Sequence, residues 1–72
     1  MNKRQAQEKS DLIVLKLRQE RLRQGITQYK LAQETGMSKS SVLYIENLTQ
    51  KPSLYTIIMI ADYLGVDLSE YF

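Results

Sequence analysis

The stretch Gln28–Asn47, QYKLAQETGMSKSSVLYIEN, decides how this chain is read, because two short amphipathic segments flank a single glycine, Gly36. Tyr29, Leu31 and Ala32 supply apolar surface to the first segment, Val42 and Ile45 to the second. Gly36 stands where a helix must stop and reverse, and a left-handed C-cap strains every residue but glycine. Met37 is then placed to pack back, and Ser38 to cap a second helix. Lys39, Ser40, Ser41, Leu43 and Tyr44 line the first two turns of that helix's free side. Ala32 is small where the two helices cross closely. The plan is two helices joined by a tight turn, with the N-terminal end of the second presented outward, where it can enter the major groove of DNA.

Working outward, 72 residues make one domain with a thin core, since a chain this small buries only roughly 60% of the surface it exposes when unfolded. There is no cysteine or histidine, which removes disulfides, the common soft metal sites and the usual nucleophile–base pairs. The carboxylates are dispersed and no glycine-rich phosphate loop occurs, so an enzyme is not expected, nor is any cofactor or small-molecule ligand indicated. No run approaches the roughly 18 apolar residues of a membrane span, and the opening MNKRQAQEKS lacks the apolar core of a signal peptide. A soluble, intracellular protein is the expectation. All ten Lys and Arg lie at or before Lys51 beside five acids, whereas residues 52–72 carry three acids and no cation. Such a basic part suits a phosphate-binding surface, although a solvated basic face accounts for the charge equally well when it is considered alone.

Residues 1–10 are polar and read as a flexible arm, with Lys3, Arg4 and Lys9 free to sample phosphates, or as a frayed first turn of helix. The domain proper is expected over 11–72. Ile13, Val14, Leu17 and Arg21 share one side of a 3.6-residue period, which predicts a first helix from about Asp11 to Gln24, ended by Gly25. Leu12, Leu15 and Leu22 fall on another side, making that helix more apolar than one packing face requires. Thr27 is placed to cap the second helix. Lys30 opposes that helix's dipole and fits either an anion nearby or a tolerated surface lysine, and the Gln28 amide is placed to reach a phosphate. The third helix is predicted over about Lys39–Glu46, followed by the connector NLTQKPS. A fourth spans about Leu54–Leu64 between the Ser53 cap and Gly65, and a last short turn is capped by Asp67 or Ser69.

The run Arg21-x-x-x-Gly25-Ile26-Thr27-Gln28-x-x-Leu31-Ala32-x-x-x-Gly36-Met37-Ser38, then Val42-x-x-Ile45-Glu46-Asn47, Pro52-Ser53-Leu54 and Ile60-Ala61-x-x-Leu64-Gly65-Val66, resembles the Cro and lambda-repressor-like helix-turn-helix family. The resemblance covers roughly residues 13–72. It implies an all-α, compact five-helix DNA-binding domain with the helix-turn-helix in helices 2 and 3. By the same resemblance, Lys39, Ser40 and Tyr44 match positions that contact bases, with Ser38 and Ser41 beside them. Gln28 matches one that contacts phosphate and often a base. Lys30, Asn47, Thr49 and Lys51 are further candidates for the phosphate backbone. Arg21 and Glu46 match a salt-bridged pair, either a strut alone or a strut that also aims Arg21 at the backbone.

Three departures from the family pattern matter. Leu48 replaces the usual glycine after Asn47, which puts the backbone N–H contacts to phosphate there in question. Leu43 is apolar where polar residues are common, and suits a thymine methyl or shields the core. Tyr55, Met59 and Tyr63 recur at i, i+4, i+8 as a second apolar stripe on helix 4. A helix apolar on two sides is buried on two sides, so this stripe, extended by Tyr71 and Phe72, is the expected homodimer interface; solvated tyrosines lying flat are the alternative. The expectation is sequence-specific binding of double-stranded DNA by a homodimer on an inverted repeat, regulating transcription, most simply as a repressor. A phage or plasmid repressor, a restriction-modification controller and an autorepressing antitoxin all fit, each a cytoplasmic protein of bacterial or phage origin. The competing reading is a protein-interaction module, an antitoxin or coactivator-type adaptor, that uses the helix 4 stripe for an unlike partner.

Overall fold

The computed structural model describes residues 1–71, so Phe72, assigned above to the dimer surface, lies outside the described residues. Four α-helices follow one another, α1 Lys3–Arg23, α2 Gln28–Thr35, α3 Lys39–Glu46 and α4 Leu54–Leu64, and a single 3-10 turn, Ser69–Tyr71, closes the described chain. The expected all-α class therefore holds, with four α-helices rather than five. The Asp67 side chain accepts the Ser69 N–H at 2.9 Å, which starts the turn. Only three residues follow in it, and a fifth helix is reduced to that turn.

Where α1 begins is the main correction. The Asn2 side chain accepts the Gln5 N–H at 2.8 Å while the Gln5 amide oxygen accepts the Asn2 N–H at 3.0 Å, a reciprocal capping box. Two orphan donors of the first turn are thereby satisfied, and Lys3, Arg4 and Lys9 belong to a helix instead of a free arm. An Arg4–Glu8 pair and a Gln7–Asp11 hydrogen bond continue the turn-to-turn support. Ala6, Lys9 and Ser10 of this first part line one side of an open groove whose other walls include Pro52, Leu54 and Tyr71.

The core is built from one face of every helix: Ile13, Val14 and Leu17 of α1, Leu31 and Ala32 of α2, Val42 and Ile45 of α3, and Ile57, Ile60, Ala61 and Leu64 of α4. Helix α2 packs on α3 and α4, and α1 packs on the same two. Ile26 and Met37, the residues that open and follow α2, both pack onto this cluster. Gln24 Nε2 donates to the Leu64 carbonyl at 2.6 Å, satisfying an orphan acceptor at the end of α4 and tying it to the end of α1.

Thr27, Ser38 and Ser53 cap α2, α3 and α4 as the sequence predicts, each accepting an N–H from the third residue on. Between α2 and α3 the chain reverses at Gly36, whose φ is 71°. A Cβ built there would meet nothing within 4 Å, so the requirement for glycine is a property of the backbone and not of crowding. Gly36→Ala is therefore expected to lower stability by about 1–2 kcal/mol, the left-handed penalty alone, with an unchanged fold; denaturant unfolding followed by circular dichroism measures it.

Candidate nucleic-acid interface

Burial divides α3 cleanly. Val42, Ile45 and Glu46 face inward, and Lys39, Ser40, Leu43 and Tyr44 are exposed. Lys39 has no acidic partner, and Ser40 and Tyr44 make no side-chain hydrogen bond, among the described residues. Ser38 and Ser41 differ from these. The Ser38 hydroxyl caps α3 by accepting the Ser41 N–H at 3.0 Å and donates to the Ser41 hydroxyl at 2.9 Å, so Ser38 serves the helix first.

Behind this edge lies the pair that the sequence links. Arg21 and Glu46 are 6% and 7% exposed. Arg21 Nε reaches Glu46 Oε2 at 2.7 Å and Nη2 reaches Oε1 at 2.8 Å, a two-pronged ion pair, while Nη1 donates to the Ile26 carbonyl at 2.7 Å. One guanidinium thus binds α1 to the entry of α2 and to the end of α3. Arg21 is turned inward, which favours the strut over a backbone contact with DNA. Gln28, at the start of α2, joins the same cluster: its Nε2 donates to Glu46 Oε1 at 3.0 Å. Sequence reasoning missed this bond. It holds the amide against the edge of α3 and leaves the second N–H and the amide oxygen of Gln28 uncommitted.

The candidate phosphate ligands separate in the same way. Lys51 and Asn47 are exposed, and neither side chain has an ionic or hydrogen-bonding partner among the described residues. Lys30 is paired with Glu34 at 2.7 Å, a hydrogen bond that, with the Glu34 charge, holds the lysine's pKa above its ordinary value. Its charge is partly answered within α2, and a phosphate contact would have to compete with Glu34. Thr49 is occupied: its backbone N–H and its hydroxyl both donate to the Tyr44 carbonyl, at 2.9 and 3.0 Å. The hydroxyl has one hydrogen, so no donor remains for a phosphate.

Leu48 answers the question raised by the missing glycine. It keeps a left-handed backbone, φ 63°, with leucine in place. That conformation costs about 1–2 kcal/mol for a residue with a Cβ, and the side chain is exposed, at the rim of a groove that Val14 and Pro52 also line. The N–H groups of Leu48, Thr49 and Gln50 are taken up by the carbonyls of Ile45 and Tyr44. They cap α3 and do not point to a ligand.

The stripe on helix 4 is arranged differently from the expectation. Rows at i, i+4, i+8 drift by about 40° per step on a 3.6-residue helix, so Tyr55 is exposed, Met59 is half-buried, and Tyr63 packs against the core. Tyr71 also packs against it. The apolar surface left open is centred on Ile58, with Leu54, Tyr55 and Ile58 at 64%, 72% and 53% exposure. Leu54 belongs to this open patch because it lies one turn ahead of Ile58 rather than above Ile57.

Two short helices crossing at a left-handed glycine, the second held from behind and unbonded in front, define the helix-turn-helix class of DNA-binding domain. The family model for helix-turn-helix proteins of the Cro/C1 type matches residues 17–71, and the chain belongs to that family. The domain is a DNA-binding module of transcription regulators. No curated protein and no solved structure matches the chain. Among the described residues no helix is long and apolar enough to cross a membrane.

Proposed function

We propose that the chain represses transcription by binding double-stranded DNA as a homodimer on an inverted-repeat operator. The observation that carries this reading is the outward edge of α3: Lys39, Ser40 and Tyr44 are exposed and free of internal bonds, on a helix whose other side is buried. Lys39 takes a guanine edge, Ser40 and Tyr44 contact neighbouring bases, and Ser41 borders them. Gln28, Asn47 and Lys51 hold the flanking phosphates, with Lys30 contributing when its bond to Glu34 opens. The second copy packs on α4 through the patch of Leu54, Tyr55 and Ile58, with Met59 at its border. Such a dimer presents two α3 edges to successive major grooves, about 34 Å apart.

Selection of bound duplexes from a random pool tests the whole reading. The expected result is an inverted repeat whose half-sites lie one helical turn apart; an asymmetric motif or the absence of any motif would overturn it. Ile58→Asp is expected to convert a sedimenting dimer into a monomer with an unchanged circular dichroism spectrum, because it puts two like charges into the apolar centre of the interface. A wild-type protein that sediments as a monomer at all working concentrations would favour the adaptor reading, in which the same patch meets an unlike chain.

A further inference from the structure

Helix α1 carries a second open apolar face that neither DNA reading nor the α4 patch uses. Leu12, Leu15 and Leu22 are exposed, on the side of the helix opposite Ile13, Val14, Leu17 and Arg21. They follow the three-four spacing of a helix-pairing seam, with Gln19 completing the row between Leu15 and Leu22. In that frame the positions flanking the seam are Arg4, Asp11 and Arg18 on one side and Lys9, Lys16 and Arg23 on the other. All but Asp11 are cationic. Arg4 is paired with Glu8 at 3.2 Å, Arg23 and Lys16 share one acid, Glu20, at 2.9 and 3.8 Å, and Lys9 and Arg18 have no ionic partner among the described residues.

We propose that the Leu12–Leu15–Leu22 face of α1 receives an amphipathic helix of a partner protein, with leucine-type residues along its seam and acidic residues on both flanks. Charge decides the occupant. Flanking positions set partner choice in paired helices, and a second copy would bring Arg18 against Arg23 when parallel, or lysine against lysine when antiparallel. An acidic helix meets cations on both borders. Area points the same way: three leucines fall far short of the roughly 800 Å² per partner of a stable complex, so the contact is transient and steered by charge. A lipid surface is less well served, because interfacial helices rely on a wide, continuous apolar face, whereas here Gln19 interrupts a row of three leucines and the rest of the apolar surface of α1 is buried in the core.

The probe is a synthetic peptide with leucine at the seam positions and glutamate at the flanks, titrated into the whole 72-residue protein with carbon-13-labelled leucine and isoleucine methyls. Saturable shifts are expected at Leu12, Leu15 and Leu22, and raising salt from about 0.1 M to about 1 M should abolish them. The double variant Leu15→Gln, Leu22→Gln should bind the peptide at least about tenfold more weakly while its circular dichroism and its affinity for a random-sequence duplex stay as in the parent. Equal binding by a control peptide with lysine in place of glutamate would overturn the proposal. So would shifts centred on Ile58, shifts that grow with protein concentration alone, or α1 shifts with anionic phospholipid vesicles but not with the acidic peptide.

Discussion

Glu46→Ala is expected to lower the stability of the domain by about 3–5 kcal/mol, because it leaves a buried guanidinium without its counter-charge. Arg21 is only 6% exposed and would keep a single strong acceptor, the Ile26 carbonyl, for a group that now makes three short bonds. An exposed ion pair would lose no more than about 1 kcal/mol. A 72-residue domain holds roughly 4–11 kcal/mol in all, so the variant should unfold at much lower urea than the parent and be partly unfolded near room temperature. Urea titration at several temperatures measures the loss. A value below about 1 kcal/mol would mean that solvent replaces the carboxylate. The pair replacement Arg21→Met, Glu46→Leu should recover most of the loss, since apolar substitutes for buried ion pairs are often neutral or stabilising. If its fold is retained, that pair variant should still bind random DNA more weakly, because the acceptor that steadies the Gln28 amide has gone.

Lys39→Ala is expected to weaken binding to the selected operator by about 1–3 kcal/mol, a roughly fivefold to more than hundredfold loss, while random duplex loses much less. The contrast matters more than the magnitude. Lys39 stands at the first residue of α3, exposed and unpaired, on the edge that would meet base pairs. Lys51→Ala, in the connector after α3, should weaken operator and random DNA alike and reduce the slope of log affinity against log salt by about one. Fluorescence anisotropy across a salt series on both duplexes separates the two. Equal losses on operator and random DNA for Lys39→Ala would reassign that lysine to the phosphate backbone.

How much of this was legible in the residues follows from how local each signal is. The limits of α3 and α4 agree with the sequence reading because each is set by a cap within the element's own few residues: Ser38, then Ser53 and Gly65. The core faces followed from period, and Arg21 and Glu46 from the family pattern. The start of α1 carries no apolar stripe, because the helix is begun by polar reciprocity between Asn2 and Gln5; that spacing is the signal the sequence does hold. On α4 the four-residue steps from Tyr55 do not stay in a straight row but wind around the helix until Tyr63 reaches the core, which the spacing alone does not display. The bond from Gln28 to Glu46 and the double donation of Thr49 to Tyr44 depend on where separate segments meet, and no local pattern announces either.

The side chains on the front of α3 and those behind it have almost nothing to do with each other. Every side-chain bond that fixes the helix runs from its rear face or its ends, and the side chains of Lys39, Ser40 and Tyr44 make none of them. Changes at those three positions should therefore combine additively with changes in the core. If that edge reads bases as proposed, a lineage of such proteins can acquire new DNA targets by exchanging a few surface residues, one at a time, without passing through an unfolded intermediate sequence.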